Sequence, residues 1–114
     1  MAKPQPVVVL STAGSRSEAE KIGRLLLKER LIACVNLLSP IRSLYWWNGK
    51  VEQGREALLI IKTTRRQLPD IARRIRAAHS YDVPEMIALP VVWGHRPYLS
   101  WLEASVRKPK GKRR

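Results

Sequence analysis

Two histidines, His79 and His95, one cysteine, Cys34, and nine acidic residues are the chain's whole stock of metal-ligating and acid–base side chains of the usual kinds. No C-x-x-C or H-E-x-x-H motif occurs, and the glycines at 14, 23, 49, 54, 94 and 111 do not form a phosphate-cradling loop. A Ser–His–Asp relay is recognised by geometry, and no such set can be assigned from this sequence, so no hydrolase is read from it. His79 follows a helical pattern and is expected to serve as a cationic or hydrogen-bonding group at a helix C-terminus. His95, beside Gly94, reads as a turn residue. Cys34 sits in the apolar string Leu31-Ile32-Ala33-Cys34-Val35 and reads as core; as the sole cysteine it cannot close an intrachain disulfide.

The most concentrated feature is aromatic. In Ser43-Leu44-Tyr45-Trp46-Trp47-Asn48-Gly49-Lys50, three large rings precede an Asn-Gly pair, which accepts the positive φ of a type I′ turn. With a two-residue turn there, Trp47 faces Lys50, Trp46 faces Val51 and Tyr45 faces Glu52, so rings project from both sides of a hairpin. Burying both sides requires neighbouring bodies, and each ring contributes a few kcal/mol on burial. Tyr45, Trp46 and Trp47 are therefore expected to be contacts between subunits.

The elements that would carry these groups follow from periodicity. Val7 to Leu10 is a β-branched run typical of a strand buried on both faces. Ser15 to Glu20 holds two overlapping S-x-x-E capping boxes, and Ala19, Ile22, Leu26 and Leu27 keep helical spacing, predicting a helix to about Arg30. Leu31–Leu38 and Ala57–Thr64 read as the two strands of one long hairpin. Leu68, Ile71, Ala72, Ile75 and Ala78 predict a second helix ending near His79, with Pro69 in its first turn. Pro84–Trp93 reads as a strand, with Pro90 pointing to an edge position. Pro97–Val106 reads as a closing helix with Tyr98, Trp101, Leu102 and Val106 on one face.

This order predicts an α+β, ferredoxin-like split βαβ fold, an antiparallel sheet with two helices on one face, occupying residues 1–106 as a single domain. The other sheet face has no helices of its own, and self-association is its simplest cover. No apolar run approaches the ~20 residues of a membrane span, and Met1-Ala2-Lys3-Pro4 lacks an apolar secretion signal, so a cytoplasmic protein is expected.

Charge adds a second theme. Twenty-two Lys and Arg against nine acids give a formal net charge of +13 and a pI near 10.9 over 114 residues. Five of the cations fall in the last seven residues, and residues 107–114 read as a basic, disordered tail able to bind polyanions weakly and without sequence preference.

Several segments together resemble the CutA divalent-cation tolerance family: S-L-Y-W-W-N-G-K-V-E-Q from Ser43, I-I-K-T-T at Ile60–Thr64, and H-S-Y-D-V-P-E at His79–Glu85. Leu89-Pro90-Val91 and Tyr98-Leu99-Ser100-Trp101-Leu102 continue the likeness, which runs from Val7 to Val106. The resemblance implies a homotrimer of ferredoxin-like subunits whose hairpins touch adjacent subunits, associated with tolerance of copper and other divalent cations and without catalysis. It also implies intersubunit clefts near Tyr81 and Glu85. Copper-binding members have a cysteine where this chain has Ser11 and a further histidine where it has Ala78. Of that set His79 remains, with Glu85 as a carboxylate that could join it around a divalent cation such as copper. Two other readings are carried: a PII-like trimeric sensor of a small anion, and non-specific nucleic-acid binding through the tail and the aromatic hairpin.

Overall fold

The computed structural model describes residues 3–107. Eight segments follow in order: β1 (Pro6–Ala13), α1 (Arg16–Lys28), β2 (Cys34–Trp47), β3 (Lys50–Thr64), a 3-10 turn (Arg65–Gln67), α2 (Leu68–Ala78), β4 (Ile87–Pro90) and α3 (Arg96–Ser105). The four strands form one antiparallel sheet in the order β2-β3-β1-β4. The expected split βαβ arrangement is present, with β4 at an edge.

Helix α1 starts as its capping box dictates, the Ser15 hydroxyl accepting from the Glu18 N–H at 3.1 Å. It ends two residues earlier than its apolar spacing predicts, because Arg30 takes φ 58°. Arg30 N–H then bonds the Leu27 carbonyl at 3.0 Å and Leu31 N–H the Leu26 carbonyl at 3.0 Å, the paired bonds of a Schellman stop with buried Leu31 after it. The turn this makes delays β2 to Cys34 rather than Leu31. Helix α2 keeps the predicted face, with Ile71 and Ile75 buried and Pro69 in its first turn.

The hairpin is longer than the apolar runs alone indicate. Asn48 at φ 51° and Gly49 at φ 77° make the turn, and Trp47 pairs with Lys50, Trp46 with Val51 and Tyr45 with Glu52. At about 3.3 Å per residue, the 15 residues of β3 account for the 50 Å longest dimension of the molecule. One irregularity shifts the register between Leu38 and Ile41, where the Ser39–Pro40 peptide is cis.

The strand predicted over Pro84–Trp93 is reduced to Ile87–Pro90. Pro90, paired with Val7, lacks an N–H, and Pro6, where β1 begins, lacks one too; only Val91 N–H to the Pro6 carbonyl, at 3.1 Å, extends the pairing. Val92 and Trp93 beyond it are 94% and 80% exposed. In α3, Leu102 and Val106 are buried with Ala33, whereas Tyr98 and Trp101 pack on each other at 5.5 Å and stay partly exposed, so one subunit covers only part of the predicted face.

Alternation along the strands separates two faces. Val7, Val9 and Ala13 of β1 and Ala57, Leu59 and Ile61 of β3 pack beneath Ala19, Ile22, Leu26, Ile71 and Ile75 of the helices. Their neighbours Val8, Leu10, Leu58 and Ile60 point the other way and are only half-buried. The expectation of a disordered tail falls, for residues 108–114, outside the described residues. Arg107 is firmly part of the body: its N–H bonds the Arg30 carbonyl at 2.8 Å, its carbonyl accepts from Gln67 Nε2 at 2.9 Å, and its guanidinium meets Asp70 at 2.7 Å.

Candidate functional site

Three chain segments far apart in sequence meet where α1 begins, β1 ends and α2 gives way to the loop before β4. Glu18 is held in α1's first turn by the Ser15 cap, which aims its carboxylate back over the Gly14 backbone. Oε1 accepts from the Gly14 N–H at 3.3 Å and the Ser80 hydroxyl at 3.0 Å, and Oε2 accepts from the Ser80 N–H at 2.7 Å. The capping-box acid thus spends its second half not on its own helix N-cap but on a residue 62 positions away. Burial works to raise the Glu18 carboxyl, but the two bonds from Ser80, the charge of His79 when protonated, and the Gly14 N–H outweigh it and hold the group below the ordinary value of 4.5.

His79 ends α2 at its C-cap with an extended backbone, and its side chain is fully buried. The Tyr81 N–H donates to Nδ1 at 3.0 Å, so Nδ1 carries no proton, and Nε2 donates to the Thr12 carbonyl at 2.7 Å. Glu18 Oε2 lies 3.5 Å from Nδ1. Neither ring nitrogen in this arrangement presents a lone pair outward. The hydrogen-bonding role expected for His79 is what this geometry provides.

Tyr81 tilts against the His79 ring at 4.6 Å, lies over Gly14, and donates its hydroxyl to Glu56 at 2.8 Å. A Cβ on Gly14 would meet the Tyr81 ring at 3.5 Å, an ordinary van der Waals contact, so the tyrosine packs directly against the end of β1. Burial, then the Glu56 bond and charge, then the charges of Glu18 and Tyr45, push the Tyr81 phenol up to about 12. Tyr81 therefore joins the α2 exit to the foot of the hairpin.

The remaining predicted residues are placed separately. Ser11 is 1% exposed on the helix-covered face, and its hydroxyl has no hydrogen-bond partner among the described residues. Ala78 is exposed and carries no ligand atom, and Glu85 is exposed in the loop before β4 with no ion pair or hydrogen bond among the described residues. No group of three or more His, Cys, Asp or Glu side chains stands close enough to hold a metal among the described residues. His95 is the exposed N-cap of α3 and makes no side-chain cap bond. Cys34 lies 3.8 Å from the Tyr98 hydroxyl; burial, then the Cys34 contact, raises that phenol above its usual 10.0. Glu18 and Glu56, which complete the corner, were not singled out from the sequence. Glu18 is visible there only as a capping acid, and nothing local marks Glu56.

The second half of the candidate surface is the hairpin tip with the bare sheet face. Trp46 and Trp47 are 74% and 62% exposed, and Leu38, Ile87 and Leu89, on the face away from the helices, are 51%, 53% and 47% exposed. Such a run of exposed apolar groups marks an interaction surface.

Among the described residues no helix is long and apolar enough to cross a membrane. The family model of the CutA1 divalent ion tolerance protein matches residues 7–105. The Divalent-cation tolerance protein CutA of Thermus thermophilus is 45% identical over 83% of this chain and 92% of its own length. Protein CutA 1, chloroplastic, of Oryza sativa is 42% identical over 90% of this chain, which spans 58% of that relative's length. Among solved structures, CutA1 from Oryza sativa has a TM-score of 0.89 at 42% identity, covering 93% of this chain and 96% of that one. The Cut A1 structure from Thermus thermophilus has a TM-score of 0.87 at 42% identity, covering 90% and 99%. With the family model matched from the first strand to the end of α3, and relatives above 40% identity sharing its fold, this chain belongs to the CutA divalent-cation tolerance family.

Proposed function

We propose that this chain serves divalent-cation tolerance as a homotrimer with no chemical step of its own, its ligand clefts formed where the Tyr81 and Glu85 region of one subunit meets the next. The observation that supports it most is the apolar sheet face left open in the subunit, continuous with a hairpin bearing rings on both sides. Obligate interfaces are large and apolar in this way. Light scattering after size exclusion at low micromolar concentration should give the mass of three chains, and Trp46→Ala with Trp47→Ala should shift it toward smaller species without unfolding the subunit. A monomer mass for the wild type would overturn the proposal. The compartment we propose is the cytoplasm; relatives named chloroplastic and periplasmic make cell fractionation its test.

For copper we propose weak binding. Thiolate and imidazole together suit copper, and Ser11 and Ala78 supply neither, while capture by His79 would first break its bond to Thr12 or Tyr81. The exit of α2 and the end of β1 are nonetheless adjacent, since His79 bonds the Thr12 carbonyl. Ser11→Cys with Ala78→His should raise copper affinity by more than tenfold in competition against a chelator. Equal affinity of wild type and double variant would place any copper site elsewhere.

A further inference from the structure

The end of the molecule opposite the Glu18 corner is basic, and its acids are already engaged. Backbone bonds draw four segments together there: Arg65 N–H bonds the Gln5 carbonyl at 2.8 Å, Arg107 N–H bonds the Arg30 carbonyl at 2.8 Å, and Gln67 Nε2 bonds the Arg107 carbonyl at 2.9 Å. The N-terminal stretch, the Schellman turn after α1, the 3-10 turn before α2 and the residue after α3 thus lie side by side. They bring Lys3, Lys28, Arg30, Arg65, Arg66 and Arg107 to one end. The two acids among them are taken: Glu29 by Arg74 at 2.8 Å, and Asp70 by Arg73 and by Arg107 at 2.7 Å. Asp70 is held below its ordinary value of 3.8 by the bonds from Arg107 and Arg73, so it stays an anion and those two arginines stay occupied. Lys3, Lys28, Arg65 and Arg66 are exposed and have no carboxylate partner among the described residues.

Uncompensated surface cations attract whatever anion is densest nearby. We propose that this basic end is a docking surface for duplex DNA, held through the phosphates without sequence reading. Duplex DNA has one charge per ~1.7 Å of axis, which suits a cluster of flexible cations. The segments carrying them, residues 3–6, 28–31 and 64–67, contain no aromatic side chain, so they have no platform for stacking the bases of a single strand. They also expose no large apolar group to insert into a bilayer. Sequence composition alone assigns polyanion binding to the tail, whereas here the body has a surface of its own. Arg107 is pinned into it, and the five tail cations follow directly in sequence.

The test is anisotropy of a short labelled duplex with the full-length protein over a salt series. Lys28→Gln with Arg65→Gln and Arg66→Gln should weaken binding at least tenfold and flatten the log–log salt slope by about 0.9 per lost contact. The variant Arg65→Lys with Arg66→Lys should bind as wild type does, because charge is kept. A full-length variant with Lys108, Lys110, Lys112, Arg113 and Arg114 all changed to Gln should retain binding that the body substitutions then abolish. All substituted body positions are exposed, so an unchanged melting curve checks the fold. Three results would overturn the proposal: a body variant that binds as wild type, binding lost entirely with the tail cations, or anionic phosphatidylserine vesicles binding as tightly as duplex.

Discussion

The two faces of the sheet are built from the same strands and nearly the same residues, yet only one is finished within the subunit. On one, Val7, Val9, Ala57, Leu59 and Ile61 disappear beneath α1 and α2. On the other, Val8, Leu10, Leu58 and Ile60 are half-covered, and Leu38, Ile87 and Leu89 remain in water. Alternating placement on a pleated strand cannot distinguish them; α1 and α2 do, and they sit on one side, while α3 reaches the other near Cys34 through Tyr98. The finished face sets the stability of the chain. The open face is the one proposed to carry the assembly.

The largest test of that division is one substitution on each side. Ile75 is fully buried between α2 and the sheet, so Ile75→Ala should lower unfolding free energy by about 2–5 kcal/mol through lost burial and a cavity. Leu89→Ala on the open face should cost the isolated subunit little while weakening assembly. Urea unfolding and solution mass, measured at one protein concentration, separate the two effects. Equal destabilisation by both would mean that the open face is as much a core as the covered one.

A smaller effect is expected at the corner that ties the helix layer to the sheet edge. Glu18→Gln keeps one acceptor but removes the charge that serves the Ser80 and Gly14 N–H groups, and should cost about 1 kcal/mol at neutral pH. The sign of the pH dependence follows from the lowered carboxyl: its stabilisation is present above its unfolded value near 4.5 and fades as pH falls through the lower folded value. Wild-type and Glu18→Gln stabilities should therefore converge in acid. A gap that persists in acid would assign the effect to packing.

How much of this was readable in the residues differs between the same regions. The hairpin tip was legible down to its pairings, because Asn48-Gly49 admits one tight turn and a turn fixes register, whereas the register shift between Leu38 and Ile41 was not. Helix faces were legible because burial follows a 3.6-residue period. The stop at Arg30 was not, since an arginine at positive φ breaks the habit of glycine there. The extent of β4 was overestimated because apolar content continues through Val92 and Trp93 after the pairing with β1 ends at the Val91 N–H. The Glu18–Ser80 and Tyr81–Glu56 bonds link residues 62 and 25 positions apart, respectively, and no local pattern encodes them. Ser11 could be read as a lost thiol, but its solitary buried hydroxyl is visible only once the helices are laid over it.

The smallest expected effect lies on the border between the two faces, at Tyr81. Its hydroxyl donates to Glu56 at 2.8 Å from a ring that is 37% exposed, so water competes for the bond and Tyr81→Phe should change neutral-pH stability by less than about 1 kcal/mol. The informative range is alkaline. The folded phenol titrates near 12, above its ordinary 10.0, because burial and the Glu56 carboxylate both oppose a phenolate. A raised value means that the contribution is complete below pH 10 and is lost as pH rises through 12. Over that window the wild type should lose stability that the Tyr81→Phe protein does not, and the tyrosinate absorbance of the folded wild type should contain, in addition to the raised Tyr98 phenol that both proteins share, a late component that the variant lacks. If the three tyrosines of the wild type titrate together at the ordinary value, the Tyr81–Glu56 bond does not persist in solution, and the hairpin foot is tied to the α2 exit by packing on Gly14 and His79 alone.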